Sequence, residues 1–273
     1  MKTTVARFDS WEEFVAAAEI RSYGGFDSGH SKGDSHFYGT ESIAEATSLA
    51  RKGWPEGAAR VQAIRAEIAS AINAIVNARV QSIGYDVCGD YVDVGRYLSG
   101  EPECFGTRTD DPCAAKPVVK VSVNTAVSCG VSQEAIFARG AAILAAIDVI
   151  ESAGKRVELW AVNGALAGCN KKTHETYVLV KPADQHLDCD RLAFALCHAS
   201  THRRLCFSVF EKYGITAGNS YPHGVTERDG IYTPEARRSG TFTKRELLVE
   251  VKRICESAGV EIADEEVDAL ASA

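Results

Sequence analysis

The sequence predicts an α/β protein: a three-layer, Rossmann-like sheet domain over residues 116–273, preceded by a helical N-terminal region over 1–80 and an acidic, loop-rich connector over 81–115. Three observations carry that reading. Val118-Val119-Lys120-Val121-Ser122-Val123 is an apolar, β-branched run of the kind that forms a buried strand. Gln133 to Ala153 follows with Ile136, Phe137, Ala141, Leu144, Ile147 and Ile150 at helical spacing, and Gly154 stops it. Arg156 to Val162 then alternates Val157, Leu159 and Ala161, which completes a strand–helix–strand unit.

The other elements fall in order around that unit. Phe8, Trp11, Phe14, Val15 and Ala18 predict a helix over 8–20, with Asp9 or Ser10 as its N-cap. Tyr23 to Gly39 is rich in Gly, Ser, Asp and His and predicts a loop. Thr40 or Ser42 caps a helix to about Lys52, which Gly53-Trp54-Pro55-Glu56-Gly57 breaks. Val61, Ile64, Ile68, Ile72, Ile75 and Val76 make an apolar stripe over 56–79. Residues 81–115 are mostly irregular, with a short strand or turn at Tyr91–Val94. Thr176–Lys181 forms a hairpin with the strand before it, and Asp188 or Asp190 opens a single helix to Tyr213. Residues 214–241 are loop-rich. Thr243 with Glu246 forms a capping box for a helix to Ala258, and Val260-Glu261-Ile262 predicts a last strand.

A chain of 273 residues with 45% hydrophobic content can bury a core without covalent staples. Lys+Arg 30 against Asp+Glu 37 leaves −7, which opposes a polyanion-coating role. The late basic residues Arg203, Arg204, Arg237, Arg238, Lys244, Arg245, Lys252 and Arg253 alternate with Glu246 and Glu250, so a solvated surface is favoured over a nucleic-acid face. Nine cysteines contain no CxxC pair, which excludes a zinc ribbon and a thioredoxin motif. Cys197 and Cys206 lie in apolar stretches, as reduced thiols do in a cytoplasmic protein. Arg7, Asp9, Glu12 and Glu13 interrupt any signal-peptide core, and Ala141–Ile147 is too short to cross a bilayer, so no membrane partner is expected.

Chemistry-bearing patterns are few. Gly24-Gly25-Phe26-Asp27-Ser28-Gly29-His30-Ser31 has P-loop spacing with His30 in place of the lysine, and reads as a flexible loop. His198 and His202 lie four apart on the expected helix, and Cys206 extends the row, a spacing that suits a zinc site. Asp86, Asp90 and Asp93 offer hard oxygen ligands to a divalent cation, without the spacing of an EF-hand. Either set supplies the enzymatic alternative, a metal-dependent hydrolase or nuclease. Ser128-Cys129 and Cys104, with His174 or His223, are the candidates for nucleophilic chemistry, but no Gly-x-Ser-x-Gly elbow accompanies them.

Val118 onward resembles the start of a von Willebrand factor A-like domain, which opens with a buried strand ending in a metal-binding Asp-x-Ser-x-Ser. Asn124-Thr125-Ala126-Val127-Ser128 stands at the matching positions and keeps only the final Ser. The resemblance implies a metal-site loop that has lost its metal chemistry, with Asn124, Thr125 and Ser128 as binding residues. Several strings also resemble an uncharacterised family encoded by tailed bacteriophages: Ser42-Ile43-Ala44-Glu45-Ala46 through Gly57, Val92 through Glu103, Arg139-Gly140-Ala141-Ala142, and the 190–211 helix. That resemblance implies a phage context and no mechanism.

These observations lead to a non-enzymatic binding protein with a protein partner and no cofactor, acting through the Asn124 loop. Arg96, Tyr97, Glu101 and Glu103 form a second contact surface. Asn124→Ala or Ser128→Ala is expected to weaken capture of the partner with little change in melting temperature. A host-cytoplasmic location follows from the phage context, with a virion or assembly component as the further alternative.

Overall fold

The computed structural model describes residues 3–20, 35–66, 84–89, 91–107, 116–167, 172–212, 220–235, 243–262, 264 and 267. Its central sheet is built on β5 (Val118–Asn124), which pairs in parallel with β6 (Arg156–Ala167) on one side and β9 (Ile231–Thr233) on the other. β6 returns through an antiparallel hairpin as β7 (Lys172–Lys181). β1 (Thr3–Phe8) adds in parallel to β7, and the order is β1-β7-β6-β5-β9, with β8 (Ser220–His223) antiparallel to the end of β6.

β1 was not expected, because a six-residue strand interrupted by Arg7 carries little periodicity. β8 and β9 arise inside the stretch read as loop-rich, for the same reason of length. Val260-Glu261-Ile262 is not a strand; Val260 and Ile262 are buried in the core.

Side-chain alternation decides where the helices sit. Ala6, Phe8, Val121, Val123, Val157, Leu159, Ala161, Val178 and Val180 point to one face. They share a single core with α1 (Trp11–Glu19), α3 (Ile43–Lys52), α4 (residues 55–66), α6 (Gln133–Ser152), α7 (Cys189–Cys197), α8 (Phe207–Lys212) and α9 (Lys244–Ser257). The described part of residues 1–80 therefore packs on the α/β part.

The opposite face carries Arg7, Lys120, Ser122 and Glu158 beside Trp160 and Tyr177, too polar to bury beneath a helix. Arg7 lies 5.3 Å from the Trp160 ring centre and 5.0 Å from that of Tyr177. Trp160, Val162 and Tyr177 instead pack with Val225 and Tyr232. Among the described residues the expected third layer is thus an extended segment, and the helical layer is on one side.

The connector is more ordered than its composition suggested. β2 (Gly84–Asp86), β4 (Phe105–Thr107) and β3 (Tyr91–Val92) form an antiparallel sheet in the order β2-β4-β3, with α5 (Val94–Leu98) following β3. α2 (Ser35–Tyr38) precedes α3.

The expected single helix over 188–213 is interrupted. α7 ends at Cys197, His198 caps it in an extended conformation (φ −97°, ψ 131°), and Thr201–Cys206 winds as a π-helical segment before α8. Apolar periodicity alone does not report such a change of pitch.

Candidate functional site

The carboxyl ends of β5, β6 and β9 gather two groups of polar side chains, at the edge where open α/β sheets place ligand sites. Alternation along the strands puts them on opposite faces.

On the helix side, Thr125, Asn163 and His202 are buried together. Asn163 Nδ2 donates to Thr125 Oγ1 at 3.0 Å and to His202 Nδ1 at 2.8 Å. Both amide protons are then used, and Asn163 Oδ1 is buried without a hydrogen-bond partner. Because Nδ1 of His202 accepts, the ring is neutral with its proton on the other nitrogen. Burial, and then the neighbouring Arg203, push its pKa down to about 3, against the pull of a hydrogen bond with the Val127 backbone.

On the other side, Asn124 is fully buried and its amide is the hub. Asn124 Nδ2 faces His223 O at 3.0 Å, Tyr232 Oη at 3.0 Å and Glu235 Oε2 at 3.3 Å. Its Oδ1 accepts from Ala126 N at 3.0 Å, which turns the chain out of β5. Tyr232 Oη also donates to Glu235 Oε2, at 3.4 Å. Burial raises the Tyr232 pKa above its ordinary value.

Two arginines brace the loops that leave these strands. Arg139, on the second turn of α6, donates to Asn124 O at 3.1 Å and to Pro234 O at 2.6 Å, with Thr233 Oγ1 at 3.4 Å, so it ties the ends of β5 and β9. Burial lowers its pKa, and the charges of Glu250 and Glu235 pull it back up. Arg203, in the π-helical segment, donates to Phe37 O at 2.8 Å, Ser128 O at 3.2 Å and Val131 O at 2.6 Å, and its guanidinium lies 4.3 Å from the Phe37 ring centre.

The expected loop residues therefore divide. Asn124 and Thr125 are buried and position the backbone, whereas Ser128 is half-buried and Cys129 and Gly130 are exposed. The expectation that Asn124→Ala leaves melting nearly unchanged does not survive this burial. The surface available to a partner here is Ser128–Gly130.

The histidine row is split by the break after α7. His198 stacks on Phe194 at 4.8 Å, meets Trp54 edge-on at 4.6 Å, and accepts from Ser200 N through Nδ1. Its pKa is pushed down to about 4 by burial. Burial raises the Cys206 thiol far above its usual value. In the connector, Asp93 caps α5 through Arg96 N at 3.2 Å and accepts from Tyr85 Oη at 3.0 Å. Asp86 Oδ1 takes the Val87 N–H, and Asp90 lies outside the described residues, as does the Gly24–Ser31 loop. No group of three or more His, Cys, Asp or Glu among the described residues is placed to hold a metal ion.

Arg96, Glu101 and Glu103 do meet. Arg96 lies 3.4 Å from Glu101 and donates to Glu103 O at 3.2 Å, while Tyr97 points outward. Of the late basic residues, Arg203 and Arg204 are buried, Arg253 pairs with Glu250 and Lys252 with Asp264. No helix among the described residues is long and apolar enough to cross a membrane.

Sequence reasoning placed Arg203 on a solvated surface, where the structure buries it, and gave no role to Arg139, Asn163, Tyr232 and Glu235. The signal for the arginines was present: Arg139 is the lone cation in a nearly continuous apolar helix, and Arg203 interrupts a buried run. Such charges persist inside when most of their donors are used, as the two Nη groups of Arg203 are. Asn163, Tyr232 and Glu235 meet through folding of distant segments and carry no local signal.

A family model described as a domain of unknown function (DUF7192) matches residues 1–261. No curated protein and no solved structure matches the chain.

Proposed function

We propose that this chain, which belongs to the DUF7192 family, is a non-enzymatic, phage-associated binding protein that engages a protein partner through the Ser128–Gly130 loop at the end of β5. One observation carries the reading. Where a von Willebrand factor A-like domain would hold a cation, the Asn124 amide donates toward Glu235, and Arg139 holds the backbone beside it. Fixed N–H groups thus fill the role of positive charge, and the loop they anchor is presented to solvent.

Support for the finer fold assignment comes from chain order: a buried strand, the Asn124 loop, α6, and then the β6–β7 hairpin. Among the described residues the helical layer is one-sided, which departs from a three-layer plan. The phage setting rests on the sequence strings and places the protein in the host cytoplasm. The Arg96–Glu103 segment is its second contact surface.

The test is capture from phage-infected cells with the wild-type chain and with Ser128→Arg and Cys129→Trp variants, whose changes sit at the loop. Both variants are expected to melt like wild type and to lose the captured partner. Equal capture by all three chains rejects the loop as the contact.

A further inference from the structure

We propose that the outer face of α5 docks an apolar protein segment flanked by Lys or Arg. Val94 is 64% exposed, Tyr97 63% and Leu98 78%, and they share one face of a helix by their i, i+3, i+4 spacing. Val87 and Val92, exposed on the same small sheet unit, bring to this short stretch five of the nine large exposed apolar side chains among the described residues. Single exposed apolar groups need no explanation, whereas a cluster does.

The helix is built to hold that face outward. Five residues do not make a stable helix alone. Its inner side is fixed by polar contacts instead: Asp93 caps it, Tyr85 donates to Asp93, and the Arg96 guanidinium lies 3.9 Å from the Tyr85 ring centre. Apolar side chains that would ordinarily anchor a helix are therefore left over.

Charge selects the occupant. Residues 84–89 and 91–107 carry Asp86, Asp93, Glu101 and Glu103 against Arg96 alone, and Arg96 is engaged with Glu101 and the Glu103 carbonyl. Exposed Asp86, Glu101 and Glu103 would repel an acidic partner or an anionic membrane and attract cationic flanks. A second copy would bring the same acidic rim against itself.

The inference rests on the reading of this segment as a second contact surface, and is independent of the Ser128–Gly130 loop. Its test uses a short fluorescent peptide of alternating Leu and Lys blocks, amphipathic when helical, titrated against the full chain. Saturable binding is expected, with at least a tenfold loss in Leu98→Asp and in the double variant Glu101→Lys with Glu103→Lys, and a marked loss at about 0.5 M salt. The matching Leu/Glu peptide is expected not to bind, and Cys129→Trp is expected to bind the Leu/Lys peptide as wild type does. Equal binding of both peptides, or unchanged affinity in the α5 variants, overturns the proposal. So does a dimer in sedimentation that Leu98→Asp dissolves, or adsorption to zwitterionic vesicles through the same face. Failure here leaves the capture result with Ser128→Arg to judge the loop on its own.

Discussion

Asn124 Nδ2 stands 3.3 Å from Glu235 Oε2, with the Asn124 side chain fully buried at the end of β5. The amide supplies N–H groups to three acceptors, so a carboxylate in its place would set oxygen against oxygen. Asn124→Asp is therefore expected to lose about 1–3 kcal/mol at neutral pH, the cost of leaving buried acceptors unpaired. Adding Mg²⁺ or Mn²⁺ should restore part of that loss in the variant and leave wild type unmoved, read by thermal melts with and without chelator. A wild-type melt that falls with chelator would show that the cation never left.

Three histidines, His174 and His202 buried and His198 partly buried, make stability depend on pH in one direction. Burial pushes His174 and His198 down to about 4 and His202 to about 3. Below an unfolded value near 6.5, the unfolded chain binds protons that the folded chain refuses. Stability from these groups is complete above that value and is lost as pH falls toward 4. Between pH 7 and 5 each contributes a loss of at most about 2 kcal/mol. His198→Phe preserves the stacking on Phe194 and removes one titration, so its denaturation midpoints should fall less steeply over the same range. An unchanged slope would mean that His198 ionises within the fold.

Thiol chemistry should separate the cysteines by place. Cys88 and Cys129 are exposed, whereas Cys104, Cys197, Cys206 and Cys255 are buried. Burial raises Cys255 to about 12 and Cys197 and Cys206 further. Brief alkylation of native protein followed by peptide mass mapping is expected to label Cys88 and Cys129, and to leave Cys197, Cys206 and Cys255 unlabelled until denaturant is added. Labelling of Cys197 at the native rate would contradict the packing of α7 on α6.

Legibility in the sequence followed element length and contact range. α6 was placed to within a residue of its end, and the Thr243–Glu246 capping box is formed by both of its hydrogen bonds. Long periodic runs and local caps are self-contained, so they can be read without the fold. β1, β8 and β9 are too short to show a period, and the pitch change at Thr201–Cys206 keeps the same apolar residues inside. The helix-side polar group was half visible, as Thr125 and His202, but the reason they matter is Asn163, which reaches them only because β5 and β6 pair in register. His198 and His202 form one row only on a continuous helix, and the extended backbone at His198 breaks that helix.

Arg203 offers the sharpest link between packing and the exposed loop. Its guanidinium joins the Phe37 carbonyl to those of Ser128 and Val131, across the turn that presents Cys129. Burial lowers its pKa only to about 10, so it is charged at neutral pH and its bonds to carbonyls are charge-assisted. Arg203 reaches the two segments through different nitrogens, Nη1 to Phe37 O and Nη2 to Ser128 O and Val131 O, and the single ammonium of a lysine cannot reproduce that planar fork. Arg203→Lys is therefore expected to destabilise the chain by about 2–4 kcal/mol, with the carbonyls of Phe37 and Val131 losing their guanidinium donors as the main cost, while Ser128 O keeps its bond from Val131 N. Its local effect should exceed its global one: amide exchange at 128–131 should quicken, and Cys129 should alkylate faster under conditions where the rest of the chain is native. Thr40, held by neighbouring Arg204 through bonds of 3.3 Å and 2.7 Å, gives the internal control, because amide exchange there should change little. Uniform acceleration at both places would mean that Arg203 supports the core as a whole and does not hold the loop.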